Sequence, residues 1–213
     1  METLAYIGEK YGLNLNGRCP IEIRNRGRDD LPELFHELGF TVGAEIGVER
    51  GVYSEILCQG APELHLYCID AWRAYQGYRD HVSQEKMDGM YLTTQERLRP
   101  YDCELIRAFS VDAAENFADG SLDFVYIDGN HEFPYIVQDL LTWPAKVRAG
   151  GIVAGHDYIG STVRHSRNHV MYVVDAFVRA YKVRPWFLLG AKEKREGEVR
   201  DKARSWFWIK ADD

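Results

Sequence analysis

Short apolar runs rich in β-branched and aromatic residues alternate with longer segments of helical periodicity along most of this chain. Strands are predicted over residues 41–47, 64–70, 103–109, 122–128, 151–157, 185–190 and 205–210. Helices are predicted over residues 52–60, 84–98, 111–118, 134–148 and 170–182. Strands that alternate with helices are typical of an α/β fold, in which strand–helix–strand units build a mostly parallel sheet.

Two regions lie outside this alternation. Residues 1–40 precede the first strand and are helical in part, so we expect them to cap the sheet or to help form a substrate pocket. Residues 191–204, AKEKREGEVRDKAR, are dense in both signs of charge and predict a solvated hairpin connection without a function. A length of 213 residues fits one domain, residues 1–213, with an N-terminal helical extension.

The charge of the chain limits its partners. A formal net charge of −7 argues against nucleic acid, because affinity for a phosphate backbone depends on Lys and Arg side chains. Arg24, Arg26 and Arg28 form one small basic cluster. Solvated surface is the more common role of such a cluster, and binding of an anionic substrate group is the alternative.

The spacing of the cysteines and the length of the apolar runs indicate where in the cell the protein is expected. Cys19, Cys58, Cys68 and Cys103 are far apart and form no CxxC pair, which predicts reduced thiols and a cytoplasmic setting. The first twenty residues lack the pattern of a secretory signal, and we find no apolar run long enough to cross a bilayer. We therefore expect a soluble protein without a membrane partner.

The first predicted strand runs into a glycine-containing turn, EIGVERG, in which Glu45 precedes Gly47 and Gly51. Such a turn before a helix lets a ligand approach the backbone, although the glycines alone are explained equally well by close packing. The second strand ends at Asp70, 23 residues after Gly47, near the spacing at which an acid binds a ribose diol. An acid at Glu45 suits a ligand with an ammonium group, so the set favours S-adenosylmethionine over a dinucleotide.

Polar residues also end the fourth and fifth predicted strands. Asp128 ends the fourth strand, and His156 and Asp157 end the fifth. Carboxyl ends of neighbouring parallel strands open onto one crevice, so these potential ligands are expected to lie together. An ordinary turn over Asp128-Gly129-Asn130 is the simpler interpretation of the first of them.

Together, EIGVERG, YCIDAW and the run from FSVDAAENF through FVYIDGNHEF to GIVAGHDY resemble the class I S-adenosylmethionine-dependent methyltransferases. More narrowly, they resemble the bacterial macrocin O-methyltransferase-like branch and, more distantly, catechol O-methyltransferase. The resemblance covers residues 41–158. It implies a Rossmann-like three-layer sandwich with a seven-stranded, mostly parallel sheet whose last strand is antiparallel.

By position, the resemblance assigns the methionine part of the cofactor to Glu45 and Gly47, the ribose to Asp70, and the adenine to Ser110 and Val111. Ser110 has a rival role as a helix N-cap. The full set assigned to the cofactor is Glu45, Gly47, Gly51, Asp70, Ala71, Trp72, Ser110, Val111 and Asp128.

The resemblance also implies a divalent ion, usually magnesium, held by Asp128, His156 and Asp157. A histidine at this position favours manganese, zinc or iron over magnesium, so these ions are alternatives. His131 lies where the related enzymes keep a base, and Asn130 is expected to position the acceptor. Ordinary turn and helix-start roles remain the alternative for each of these residues.

The implied function is metal-assisted O-methylation of a hydroxyl on a small molecule or a sugar-containing metabolite. Two alternatives stay open: a metal-dependent hydroxylase-like enzyme that uses the same histidines and carboxylates, and a non-catalytic cofactor-binding subunit. Stacking on the acceptor is a candidate role for Tyr75, Tyr78 and Tyr91. His165 and His169 are predicted to lie at the surface, and an exposed aromatic SWFWIK strand would favour a homodimer.

Overall fold

A computed structural model describes residues 2–75, 83–160, 167–193 and 195–212 and contains one eight-stranded sheet. The strands are β1 (Ile21–Ile23), β2 (Val42–Ile46), β3 (His65–Asp70), β4 (Cys103–Arg107), β5 (Leu122–Ile127), β6 (Val147–Gly155), β7 (Trp186–Leu189) and β8 (Trp206–Ile209). The α-helices are α1 (Thr3–Tyr11), α2 (Leu31–Glu37), α3 (Val52–Gly60), α4 (Gln84–Leu98), α5 (Ser110–Ala114), α6 (Phe133–Lys146) and α7 (Val170–Ala180). One 3₁₀ turn, Arg28–Asp30, precedes α2.

The strand order is β1-β7-β8-β6-β5-β2-β3-β4. The last strand, β8, is antiparallel to both of its neighbours, and the other pairs are parallel. The predicted mostly parallel sheet with an antiparallel last strand is therefore confirmed. The predicted count of seven strands is wrong by one, because the N-terminal segment adds β1 beside β7 at the edge of the sheet.

Both faces of the sheet are covered, which gives the predicted three layers. Successive residues of a strand point to opposite faces, so Phe124 packs against Phe35 of α2 with ring centroids 4.1 Å apart. Its neighbour Val125 belongs to the cluster on the other face with Trp143 of α6. Trp143 is fully buried, so removing its side chain would cost about 3–5 kcal/mol.

One element boundary differs from the prediction. The predicted helix over residues 134–148 ends at Lys146, and β6 begins at Val147 rather than at residue 151. Val147 pairs with Leu122, and the register then shifts before Phe124 pairs with Ile152. Gly150, with φ 75°, lies within this irregular stretch. Gly150 and Gly151 are therefore part of β6 and do not form a loop between the helix and the strand.

The register of the sheet brings the functional strand ends together. Ile46 of β2 pairs with both Ile69 of β3 and Ile127 of β5, and Ile127 pairs with Gly155 of β6. The residues that follow these strands therefore emerge at one edge. The strand order reverses at β2, which is where ligands bind in open α/β sheets.

The antiparallel pair β7 and β8 is joined by the charged segment predicted as a hairpin connection. The aromatic side chains of β8 are buried, with Trp206 and Phe207 at 0% and Trp208 at 3% exposure. The exposed aromatic strand that would have favoured a homodimer is therefore not observed, and dimerisation stays a prediction. Among the described residues, no helix combines the length and apolarity needed to span a bilayer.

Candidate active site

A cavity of about 650 Å³ opens at the carboxyl ends of β2, β3 and β5. The predicted site residues in its wall are Glu45, Gly47, Asp70, Ala71, Ser110, Val111, Asp128, Asn130 and His131. Four other predicted residues lie behind or beside that wall, namely Gly51, Trp72, His156 and Asp157. The structure therefore brings most of the predicted site residues together around one cavity.

The turn after β2 is held against the end of β5. Gly47 has φ 91°, and a Cβ atom there would lie 2.3 Å from the backbone oxygen of Asp128. Its N–H donates to Ile69 O at 2.9 Å, which ties the turn to β3. Gly51 has φ 70° and is the N-cap of α3. Both glycines are required by the backbone, and Gly47 also by the close approach of two strand ends.

Asp70 organises the turn that follows β2. Its Oδ2 accepts hydrogen bonds from the N–H groups of Val48 (3.1 Å) and Glu49 (2.9 Å), and its Oδ1 accepts one from Trp72 (2.8 Å). A carboxylate offers roughly four acceptor positions. Acceptor capacity therefore remains for a donor in the cavity, such as a ligand hydroxyl.

Trp72 supports the same turn from behind. Its side chain is 1% exposed, and Nε1 donates to Glu49 O at 2.8 Å. The ring packs against Tyr91 with centroids 4.9 Å apart. Trp72 is thus placed to hold the shape of the cavity, and Tyr91 packs against it outside the cavity wall instead of facing an acceptor.

Glu45 is a buried acid at the end of β2. It is 2% exposed, and the Ser54 hydroxyl donates to Oε2. Burial raises the pKa of Glu45 to about 8, against the lowering effect of the Ser54 hydrogen bond. Because the folded state favours the protonated acid, Glu45 stabilises the fold fully below its ordinary pKa of 4.5, and this stabilisation is lost as the pH rises through 8. A cationic ligand group would reduce the cost of ionising Glu45 in this buried position.

Ser110 belongs to a buried polar chain. Its hydroxyl donates to Asp139 Oδ1 of α6 and accepts a hydrogen bond from Trp143 Nε1 at 2.7 Å. The N-cap of α5 is Phe109, so the rival role of Ser110 as a helix cap is wrong. Burial raises the pKa of Asp139 to about 6, against the lowering effect of the Ser110 hydrogen bond. Asp139 also lines the cavity and was not predicted.

Asp128, His131 and Asp157 form the one group of potential metal ligands found among the described residues, with their ligand atoms within 4.8 Å of one another. His131 Nε2 lies 3.3 Å from Asp128 Oδ1 and 3.4 Å from Asp157 Oδ2. His156 lies beside the group, with Nδ1 3.2 Å from Asp157 Oδ2 and 4.0 Å from Asp128 Oδ2. The group thus contains His131 where the predicted ligand set had His156, and His156 contacts the same two carboxylates from beside it.

The histidines are stabilised as cations. Burial lowers the pKa of His131, but its hydrogen bond to Asp128 and the charge of Asp157 outweigh burial and raise the pKa. Burial also lowers the pKa of His156, but Asp157, Asp201 and Asp128 outweigh it and raise the pKa to about 9. The negative charge of the carboxylates is therefore neutralised either by protons on the two histidines or by a metal ion.

A family model described as a methyltransferase domain matches residues 44–158, more than half of the chain. The chain belongs to this methyltransferase family. No curated protein sequence matches it. The matched span contains the acids Glu45 and Asp70 and the cluster residues Asp128, His131, His156 and Asp157.

Solved structures resemble the whole fold of this methyltransferase domain. A Staphylococcus aureus protein provisionally assigned as a caffeoyl-CoA O-methyltransferase shares 14% identity over 98% of this chain and 91% of its own, with a TM-score of 0.61. An O-methyltransferase from Bacillus cereus, solved in complex with SAH, shares 17% identity over 98% and 90%, with a TM-score of 0.54. A precorrin-6y C5,15-methyltransferase from Geobacter metallireducens shares 11% over 84% and 87%, with a TM-score of 0.55. These likenesses establish the fold and leave the acceptor open.

Three further side chains of the methyltransferase domain reach the cluster from outside the matched span. Arg28 Nη1 lies 3.4 Å from Asp128 Oδ2. Asn168 Nδ2 donates to Asp157 Oδ1 at 3.1 Å, and Asp201 Oδ2 lies 3.7 Å from His156 Nε2. Asp201 lies in the charged connection between β7 and β8, for which no function was predicted. Of these three residues, only Arg28 was part of a sequence prediction, namely the basic cluster whose alternative role was to bind an anionic group.

Asn130 connects the cluster to the segment after β3. Its Nδ2 donates to the Tyr75 hydroxyl at 2.9 Å, and its Oδ1 accepts from Glu132 N at 3.0 Å. The Tyr75 ring lies at the cavity beside Phe109, with centroids 5.4 Å apart. Tyr75 therefore has the position that the sequence assigned to an acceptor-stacking residue.

The remaining predicted residues of the methyltransferase domain are Tyr78, His165 and His169. Tyr78 and His165 lie outside the described residues. His169 is half-buried, and its Nδ1 accepts a hydrogen bond from Phe133 N at 3.0 Å. His169 therefore contacts the start of α6 while part of its surface remains accessible, and its prediction as a surface histidine is not contradicted.

Proposed function

We propose that this methyltransferase domain transfers the methyl group of S-adenosylmethionine to a hydroxyl oxygen of a small molecule, with the help of a divalent metal ion. One observation carries the proposal. Glu45 and Asp70, the acids suited to the cofactor, line the same cavity as Asp128 and His131, the residues suited to the acceptor. Cofactor and acceptor would thus meet within one cavity.

Residues of the cavity wall, taken in the order of the sequence, suit the successive parts of the cofactor. Glu45 would neutralise its ammonium group, and the free acceptor capacity of Asp70 would accept a ribose hydroxyl. Ser110 and Val111, in the wall beyond β4, would border the adenine. S-Adenosylmethionine supplies a methyl group on a positively charged sulfur, which leaves with the bonding electron pair.

The donor set also suits a metal ion. Asp128, His156 and Asp157 would hold it, and Asp201 would orient His156 through its other ring nitrogen, as acids commonly do for metal-binding histidines. A divalent ion there would bind the acceptor hydroxyl and lower its pKa. The imidazole ligand favours manganese, zinc or iron, and magnesium is the ion that the family resemblance favours.

His131 would then handle the proton. His131 lines the cavity, and its Nε2 lies within 3.4 Å of an oxygen of each carboxylate. It would accept the proton that the acceptor hydroxyl loses as the oxygen takes the methyl group. Asn130 would position the acceptor through the Tyr75 contact. The acids beside His131 stabilise its protonated form after transfer.

Calorimetric titration with S-adenosylhomocysteine tests cofactor binding. Because a bound ammonium group favours ionised Glu45, whose pKa is raised to about 8, we expect affinity to fall about tenfold from pH 7 to pH 6. Glu45→Gln should bind more weakly at pH 8 and lose this part of the pH dependence. Absence of binding by the wild type at millimolar ligand would remove the basis of the proposed function.

Electron paramagnetic resonance of added Mn²⁺ tests the metal site after dialysis against a chelator. We expect one ion per chain, and at least about tenfold weaker binding by Asp157→Asn. Asp102→Asn is the matched control, because Asp102 pairs with His65 Nδ1 at 3.0 Å far from the cavity, where β3 begins. Equal binding by wild type and Asp157→Asn would contradict a metal site here.

A hydroxylase-like function is the second candidate, because two histidines and two carboxylates within hydrogen-bonding range are also suited to a redox iron centre. Metal analysis of protein isolated without chelators separates the two functions. Stoichiometric iron with oxygen-dependent turnover would favour the second candidate. Any other divalent ion, with methyl transfer under argon, would favour the first.

A further inference from the structure

Arg28 is fixed at the rim of the cavity by both its backbone and its side chain. The Tyr53 hydroxyl donates to the backbone oxygen of Arg28 at 2.9 Å. The guanidinium carbon lies 4.8 Å from the centroid of the same Tyr53 ring, within the range of a cation–π contact. Tyr53 belongs to α3, directly after the turn that Gly47 begins. The arginine is therefore part of the cavity and not of the mobile surface.

The charge of Arg28 is only loosely paired. Its side chain is 32% exposed, and its two carboxylate contacts are Nη1 to Asp128 at 3.4 Å and Nε to Asp29 at 3.9 Å. The buried Tyr126 hydroxyl accepts a further hydrogen bond from the guanidinium, which has five N–H donors in all. Paired guanidinium–carboxylate contacts are normally 2.7–2.9 Å and often bidentate. Arg28 therefore has N–H donors left for a ligand in the cavity that it lines.

Its neighbour Arg24 shows what full pairing looks like in this segment. Arg24 Nε and Nη2 both donate to Glu22 Oε2, at 2.8 and 2.6 Å. Arg24 lines a separate, smaller cavity of about 260 Å³ and is absent from the wall of the reaction cavity. Two arginines four residues apart thus differ in what they can bind.

The wall of the reaction cavity contains both a buried carboxyl group and a guanidinium group. Glu45 is a buried acid in its wall, and Arg28 is near enough to lower the pKa of that acid in opposition to burial. A ligand that carries an ammonium group and a carboxylate would complement the two residues together. A guanidinium is the side chain best matched to the planar geometry of a carboxylate.

We propose that Arg28 binds a ligand carboxylate in the reaction cavity. This inference rests on the proposed function, because it gives one charged group of the cofactor or of the acceptor a defined partner. Two sources share this chemistry: the amino-acid end of S-adenosylmethionine, whose ammonium group would face Glu45, and a carboxylate on the acceptor, held beside Asp128. Either source makes Arg28 a binding residue supplied by the segment before β2.

Paired ligands distinguish the sources. For the cofactor, calorimetry compares S-adenosylhomocysteine with 5′-S-(3-aminopropyl)-5′-thioadenosine, which lacks only the carboxylate. For the acceptor, ligand-observed NMR on protein saturated with S-adenosylhomocysteine compares 3,4-dihydroxybenzoate with catechol. Each pair is measured on the wild type, Arg28→Gln and the matched control Arg24→Gln.

If the cofactor is the source, the wild type prefers S-adenosylhomocysteine over its decarboxylated analogue by about 10- to 100-fold, and Arg28→Gln loses that preference. If the acceptor is the source, Arg28→Gln leaves the cofactor preference unchanged and loses the preference for 3,4-dihydroxybenzoate over catechol. Arg24→Gln should behave as the wild type in both assays. Thermal unfolding of each variant verifies that the fold is retained.

The inference is overturned if both carboxylate preferences survive in Arg28→Gln, or if the wild type has neither. Absence of S-adenosylhomocysteine binding by the wild type would overturn the proposed function instead. In that case the comparison of 3,4-dihydroxybenzoate with catechol on the free protein decides about Arg28 alone, since a preference lost only in Arg28→Gln still assigns it a carboxylate.

Discussion

Replacing His131 with Asn is expected to lower the turnover number by about a hundred- to ten-thousandfold while leaving the affinity for S-adenosylhomocysteine unchanged. The imidazole lies in the cavity wall with Nε2 between Asp128 and Asp157, and Asn is of similar size but takes no proton near neutral pH. The measurement is transfer of a labelled methyl group from S-adenosylmethionine to an acceptor found by screening hydroxylated small molecules.

The control for His131 is His65→Asn, because His65 pairs with Asp102 where β3 begins and is not part of the cavity wall. Its turnover should remain close to that of the wild type. Unchanged turnover in His131→Asn would instead support a non-catalytic cofactor-binding protein. Loss of Mn²⁺ affinity in the same variant would place His131 among the metal ligands, where Nε2 cannot also take a proton.

Replacing Gly47 with Ala is expected to lower the free energy of unfolding by at least about 3 kcal/mol and to weaken cofactor binding. The new Cβ would lie 2.3 Å from Asp128 O and 2.6 Å from Gly129 Cα, both backbone atoms that cannot rotate away. Relief of this overlap would separate the turn after β2 from the end of β5. Urea unfolding followed by tryptophan fluorescence measures the cost.

The matched control for this overlap is Gly39→Ala. Gly39 also has a positive φ, of 70°, but nothing lies within 4 Å of its added Cβ. We expect this variant to lose about 1 kcal/mol, the cost of the left-handed backbone alone. Equal losses in the two variants would mean that the contact between the strand ends contributes nothing to stability.

The parts of the site that the sequence revealed are those fixed by strand direction. Asp70 and Asp128 each come at the end of an apolar run, and parallel strands place such ends at one edge of a sheet whatever the helices between them do. The antiparallel last strand followed from the family resemblance. Most residues that line this edge of the cavity could therefore be predicted from the sequence.

The missed parts depend on tertiary packing. β1 has only three residues, Ile21–Ile23, which is too short for its alternation to stand out from a loop. Asp201 reaches His156 because the charged connection folds back, with Ala191 N bonded to Val199 O and Val199 N to Arg24 O. Nothing in a run of mixed charges indicates such a path.

The same limit applies to the buried chain at Ser110. Its partners Asp139 and Trp143 lie on α6, about thirty residues further along the chain, and meet Ser110 only when α6 packs on the sheet. Helical periodicity marks Trp143 as a core residue. It does not show that Asp139, four positions earlier, is buried and hydrogen-bonded instead of exposed.

The reach of Arg28, Asn168 and Asp201 into the cluster has a consequence for how such a protein diversifies. All three lie outside residues 44–158, the span shared with the family. Substitutions in these flanking segments change the charges and hydrogen bonds around Asp128, His156 and Asp157 while residues 44–158 stay constant. Proteins that share this span can therefore differ in the polarity of the cluster through parts of the gene that the family pattern does not constrain.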